Sequence, residues 1–287
     1  MTWPFENDTS AITKKLAKKS LQSEKRRNLM VVIAVALASC LICFSIVMAL
    51  STRQIEKNHV EDTYEAVYTR ITEEDVSTLK GLDDFSRVGE YYMLAVEPAK
   101  QGYNASYIYC DEETMYIARD QMKLLEGRLP QKEDEVAVSR YFLSNYGADA
   151  GIGEKVMLNS ESFHGEYTVT GILEGYKEKE VNGSSILLSK EALKGWSGYD
   201  PADYRAYVHF KNEQQMDETE LTARSREIAK EYQLEMPIMN LSYMKFYKQP
   251  VNVSMLALVA GIAVLVIIGG YVVIPVSYTH LTLPTIL

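Results

Sequence analysis

The chain has 287 residues, 47% of them hydrophobic, and a formal net charge of −9. That length holds one large domain or two small ones. The acidity argues against a nucleic-acid partner, and three cysteines are too few for a disulfide scaffold.

In residues 11–21 (AITKKLAKKSL), a helical wheel places Ile12, Thr13, Leu16, Ala17, Ser20 and Leu21 on one half and Lys14, Lys15, Lys18 and Lys19 on the other. The pattern predicts a basic amphipathic helix lying on a membrane surface. Lys25, Arg26 and Arg27 follow, and residues 29–50 then run for 22 positions without a charge. Such a run makes a helix of roughly 33 Å, enough to cross a bilayer. The basic flank places residues 1–28 in the cytoplasm. The apolar run is longer than a signal-peptide core, so it reads as an uncleaved anchor.

Residues 51–250 are then expected outside the cytoplasm. They carry 23 basic and 36 acidic residues, a balance of −13, which suits a domain standing off anionic lipid. Residues 51–62 continue the helix as a stalk. Residues 64–71 (YEAVYTRI) read as a strand, and Thr72 caps a helix that Gly81 ends. "EYYMLAVE" and "ASYIYCDEETMYIAR" read as β-rich, and residues 123–130 (KLLEGRLP) hold a Gly-Arg-Leu-Pro turn. A strand is expected at 134–139 and a helix at 140–146. "EKVMLN" and "EYTVTGIL" alternate apolar and polar residues, as half-buried strands do. "SSILLSKEAL" reads as a strand running into a helix, "YRAYVHF" as a strand, and 217–234 as a helix with Leu221, Ile228 and Leu234 towards a core. Pro237 breaks it, and residues 240–250 lead back to the membrane.

A second uncharged run covers 253–274, giving a second membrane helix over 251–274. The final stretch, 275–287, lacks the Lys or Arg expected at a cytoplasmic exit. Within it, VSYTHLTLPT resembles a translated sequencing adapter. Native sequence is therefore expected to end near Ile274.

Catalytic constellations are not apparent. There is no phosphate loop and no nucleophile elbow. His59, His164 and His209 lack metal-ligand spacing and read as surface or packed histidines. Gly151 and Gly153 mark a turn, and the acidic clusters read as solvated turns. Cys110 is the one cysteine between the two spans.

The motif Glu126-Gly127-Arg128-Leu129-Pro130, followed by Asp134-Glu135-Val136-Ala137-Val138-Ser139, resembles the signature of MacB/FtsX-like ABC transporter permeases. The continuation through Gly153 and Gly171 fits the same pattern, as does the basic N-terminal helix. The resemblance implies an α+β, MacB-like extracytoplasmic domain between two transmembrane helices, in a multi-pass bacterial plasma-membrane protein. It implies a permease homodimer or heterodimer driven by a cytoplasmic ABC ATPase subunit that holds ATP and Mg. No cofactor and no catalysis are expected on this chain. The extracytoplasmic partner would be a protein, peptide or lipid substrate. Family permeases have four membrane helices, so the resemblance also implies a chain cut short before the third.

Two other readings share this layout. One is a two-span ligand sensor of the histidine-kinase or chemoreceptor type, continuing into a cytoplasmic signalling domain. The other is a membrane-anchored adaptor complete as written.

Overall fold

The computed structural model describes residues 25–248 apart from 101, 120, 147–148 and 176–177, together with scattered residues at 12–19 and 261–265. The second apolar run lies outside the described residues except for 261, 262, 264 and 265, which are helical. The expected adapter-like tail lies wholly outside them. By its contacts the chain divides into two units, Met1–Ile55 with Val251–Leu287, and Glu56–Pro250.

Helix α1 (Lys25–Val60) contains the first apolar run and continues without a break through the expected stalk. Its 36 residues make a rod of about 54 Å. Within it, Ala36–Val60 is long and apolar enough to cross a membrane, and none of the 18-residue window that qualifies it is buried.

The unit Glu56–Pro250 is built on a ten-stranded mixed sheet. Its strands are β1 (Ala66–Ile71), β2 (Phe85–Lys100), β3 (Tyr103–Cys110), β4 (Met122–Gly127), β5 (Glu135–Ser139), β6 (Lys155–Asn159), β7 (His164–Gly175), β8 (Gly183–Leu188), β9 (Tyr204–Phe210) and β10 (Ile238–Met239). Their order is β10-β1-β9-β2-β3-β8-β5-β7-β4, with β6 also on β7. Only β3/β8 and β5/β7 are parallel. The helices are α2 (Glu73–Lys80), α3 (Glu112–Ile117), α4 (Arg140–Tyr146), α5 (Glu178–Val181), α6 (Lys190–Gly195), α7 (Glu218–Glu231) and α8 (Leu241–Tyr243).

One sheet face carries the main core. Tyr68, Tyr92, Tyr107, Tyr204, Phe142 and Ile186 are almost fully buried there. Helix α7 supplies Leu221 and Ile228 to it, and Tyr68 donates its hydroxyl to Ser225 O at 2.9 Å. The opposite face buries Ile108, Cys110, Ala137, Leu173 and Leu187 beneath Met93, Met115, Met122 and Leu124. Two-sided burial explains why β5 and β8 read as near-continuous apolar runs rather than alternating ones.

Charge ties the flanking helices down. Glu90 on β2 is buried, with Lys190 Nζ of α6 at 2.6 Å and Lys80 Nζ of α2 at 3.7 Å. Lys190 also reaches Glu73 at 2.7 Å.

Two expectations are corrected. "DEETMYIA" forms helix α3, because Asp111 accepts from Thr114 N and caps it before the β-prone residues can pair. The Gly-Arg-Leu-Pro stretch begins where β4 ends, and β4 itself is held in register by β7. Helix α7 ends at Glu231, since Gln233 adopts a left-handed φ of 56°. Leu234 still packs on the core.

Candidate functional site

The motif residues come together at one end of the sheet. Glu126 and Gly127 end β4, Arg128 and Pro130 lie in the following loop, and Asp134 and Glu135 lead into β5. Arg128 donates two hydrogen bonds to Glu135, 2.8 Å to Oε2 and 2.7 Å to Oε1. Gln131 N adds a third at 2.9 Å. The Arg128 guanidinium, followed by these backbone donors, holds the Glu135 carboxyl down at about 2. Pro130 is buried beside this clasp.

The loop is sewn to β7 as well. Arg128 N donates to Thr170 O at 2.9 Å, Thr168 N to Asp134 O at 2.7 Å, and Gly153 N to Val169 O at 2.8 Å. Gly127 pairs with Gly171 across β4 and β7. A Cβ on Gly171 would stand 2.6 Å from Arg128 O, so only glycine lets the loop lie this close. Glu126 is ion-paired to Arg140 of α4. All eight motif residues thus stand in or beside one structural clasp around β7.

The basic residues divide. Lys14, Lys15, Lys18 and Lys19 are helical and exposed. Lys25, Arg26 and Arg27 form the first turn of α1, and their side chains lie outside the described residues.

A second constellation, unforeseen in the sequence, sits at the other end of the sheet. There the chain arrives from α1 and leaves towards residue 250. After Val60, Asp62 turns in the left-handed region at φ 53°, and Thr63 N and Oγ1 both donate to Val60 O. Arg119, just after α3, donates to Glu61 O and lies 3.6 Å from the Asp62 carboxylate. A cation on the last carbonyls of a helix is the favourable placement for its dipole. Tyr64 N donates to Ile117 O at 3.0 Å, and Gln121 donates to the Tyr64 hydroxyl at 2.5 Å.

The departing segment is bonded to the same residues. Asn240 N donates to Glu65 O at 2.8 Å, and Asn240 Nδ2 to Tyr64 O at 3.0 Å. Its own Oδ1 accepts from Ser242 N and Tyr243 N, capping α8. Lys248 donates to Glu213 O, beyond β9.

Between these segments lies a buried acid. Glu65 has no exposed surface. Its Oε1 is 2.7 Å from His209 Nδ1, and its Oε2 accepts from Phe210 N at 2.8 Å. Burial pushes the Glu65 carboxyl up, against the pull of His209. Burial alone would lower His209, but the hydrogen bond and charge of Glu65 outweigh it and raise the imidazole above 6.5.

Sequence reading left His209 as a surface or packed histidine and identified neither Glu65, Arg119 nor Asn240. Asn240 had a legible signal, since Asn before Leu-Ser-Tyr is a helix N-cap. The others join residues far apart in sequence and leave no local trace. Replacing Asn240 by alanine should destabilise the domain by about 1–3 kcal/mol. It should also release residues 240–248 to proteolysis before the rest of the domain, as limited digestion with mapped cleavage sites will read.

An apolar helix long enough to cross a membrane thus leads into an α+β domain whose two ends are clamped together. Residues 29–226, more than half of the chain, match the family described as MacB-like periplasmic core domain. The chain belongs to that family, the extracytoplasmic core domain of ABC transporter permeases, which is not itself the catalytic component. Among solved structures it is similar to the extracellular domain of the noncanonic ABC-type transporter YknZ from Gram-positive bacteria. That match has 14% identity and a TM-score of 0.43, covering 62% of this chain and 100% of that one. A domain of a putative permease from Porphyromonas gingivalis gives 15% identity and a TM-score of 0.42, covering 69% and 97%. The periplasmic region of MacB from Actinobacillus actinomycetemcomitans gives 11% and 0.44, covering 65% and 92%. No curated protein matches the chain.

Proposed function

We propose that this chain is the permease subunit of an ABC transporter of the MacB/FtsX type. It sits in the bacterial plasma membrane as a multi-pass protein with its N-terminus inside. A separate cytoplasmic ATPase subunit binds ATP and Mg, and two permease chains work as a homodimer or heterodimer. Movement made on the inner side reaches the acidic domain outside, which engages a protein, peptide or lipid substrate. Export, extraction and signalling all use the same transmission.

The observation that carries this reading is the clamp joining the arriving helix α1, β1 and the departing segment through Arg119, Glu65 and Asn240. Three anchors on one short stretch of chain leave little slack, so displacement of either end is passed to the sheet. Family membership supports the rest.

Purification of the chain from its own membrane, followed by identification of bound proteins, tests the assignment. An ATPase with a phosphate loop should co-purify, and its hydrolysis rate in lipid should change when the Asn240→Ala variant replaces the wild type. Isolation of the chain fused to a kinase or methyl-accepting domain would overturn the reading.

A further inference from the structure

The mechanism above uses the clamp but leaves unexplained why its centre is an ionisable pair. Buried Glu–His contacts are costly unless both groups are satisfied, and an apolar pair of similar size would pack at lower cost. Here Glu65 is fully buried while the His209 side chain keeps 15% of its exposure, so protons reach the pair through the imidazole.

The surroundings set the sign. From β1 the imidazole faces Glu65, from the segment after β9 it faces Glu213, and from the chain before β1 the Thr63 backbone. From α8, Tyr243 approaches Glu65 and Glu213, and the Lys248 ammonium lies 6.0 Å from the Tyr243 ring. Tyr247, near Glu61, Asp62 and Arg119, closes the outer side. Loss of the proton from His209 therefore leaves a buried carboxylate that the charge of another acid, Glu213, further disfavours.

We propose that Glu65 and His209 form a proton-operated latch on the clamp, closed when His209 is charged and loosened when it is neutral. The proton holds β1, β9 and the departing segment together, and its release weakens the grip on Asn240 and Tyr243. Both groups are raised relative to the unfolded chain, so they act in the same direction. Their stabilisation is complete below the unfolded values of 4.5 and 6.5 and is lost as pH rises through the folded ones. Extracytoplasmic acidity thus tightens the link, and alkalinity slackens it. The latch belongs to the clamp itself and does not depend on which ATPase drives it.

The test is hydrogen–deuterium exchange on the full chain in lipid between pH 5.5 and 8.5, corrected for intrinsic exchange. Segments 60–66 and 238–246 should exchange several-fold faster at the alkaline end, with a midpoint above 6.5, while α7 stays unchanged. His209→Asn combined with Glu65→Gln keeps hydrogen-bonding groups at both positions but cannot titrate at either, and should remove the pH dependence. His59→Gln, on the last turn of α1, should leave it intact. Histidine NMR on the wild type gives an independent reading that requires no variant to fold. Protection independent of pH, a His209 midpoint at or below 6.5, or transfer of the effect to His59 would each overturn the latch.

Discussion

Glu135→Ala should lower the unfolding free energy of the extracytoplasmic domain by about 2–4 kcal/mol, measured by denaturant titration of the full chain. The carboxylate accepts from both Arg128 nitrogens and from Gln131 N. Its removal strands that backbone N–H and opens the loop between β4 and β5. Trp196, packed 6.1 Å from Phe163 in the main core, supplies the fluorescence signal, with Trp3 replaced by phenylalanine. Solvent reaches about half of the Arg128 side chain, which keeps the loss below that of a fully buried pair. The pH arm follows from the sign. With the folded carboxyl at about 2 and the free value at 4.5, the contribution is complete above 4.5 and lost as pH falls towards 2. Glu135→Gln should flatten this acid limb. An unchanged acid limb would show that titration of Glu135 does not contribute to the stability of the clasp.

Gly89→Ala should cost about 3 kcal/mol through overpacking. A Cβ there would stand 2.3 Å from Thr114 Oγ1 and 2.6 Å from both Thr114 N and Cα. Backbone atoms cannot rotate out of the way, so α3 must lift from the sheet. Thr114 donates to Glu90 O at 2.9 Å and Asp111 Oδ1 accepts from Glu90 N at 2.9 Å, so the same shift breaks both bonds to the strand. Because Arg119 follows α3 directly, the expected damage reaches the clamp on α1. Protease sensitivity near residue 60 should therefore rise in this variant before global unfolding. Melting at wild-type temperature would refute the packing argument.

Elements set by local chemistry were legible in the sequence. The capping box at Thr72 and Asp75 is a three-residue pattern and forms as read. The strand alternation of β6, with Val156 and Leu158 inward, is equally local. The clasp was legible through its family motif, although the motif alone did not disclose that Arg128 and Glu135 bond each other. The clamp was not legible, for a physical reason. Glu65 and His209 stand 144 residues apart, and Asn240 bonds the Tyr64 carbonyl across 176. Such contacts are products of the β10-β1-β9 pairing order, and hydrophobic period carries no record of which strands become neighbours. Helix α3 was misread because one capping aspartate outweighed a stretch of tyrosine, isoleucine and methionine with strong strand preference.

The pairing of Ala66 with Met239 has a further meaning for how such a molecule is assembled. Entrance and exit of the entire domain are adjacent rungs of one ladder, the geometry shared by domains that tolerate insertion and circular permutation. Nearly two hundred residues are therefore hung on the chain at a single point, like a bead on a loop of thread. A short turn could replace them without stretching what lies on either side, and another bead with matching ends could be hung in their place. The domain and the chain on either side of it are free to diversify separately, provided the pairing between its two ends keeps its form.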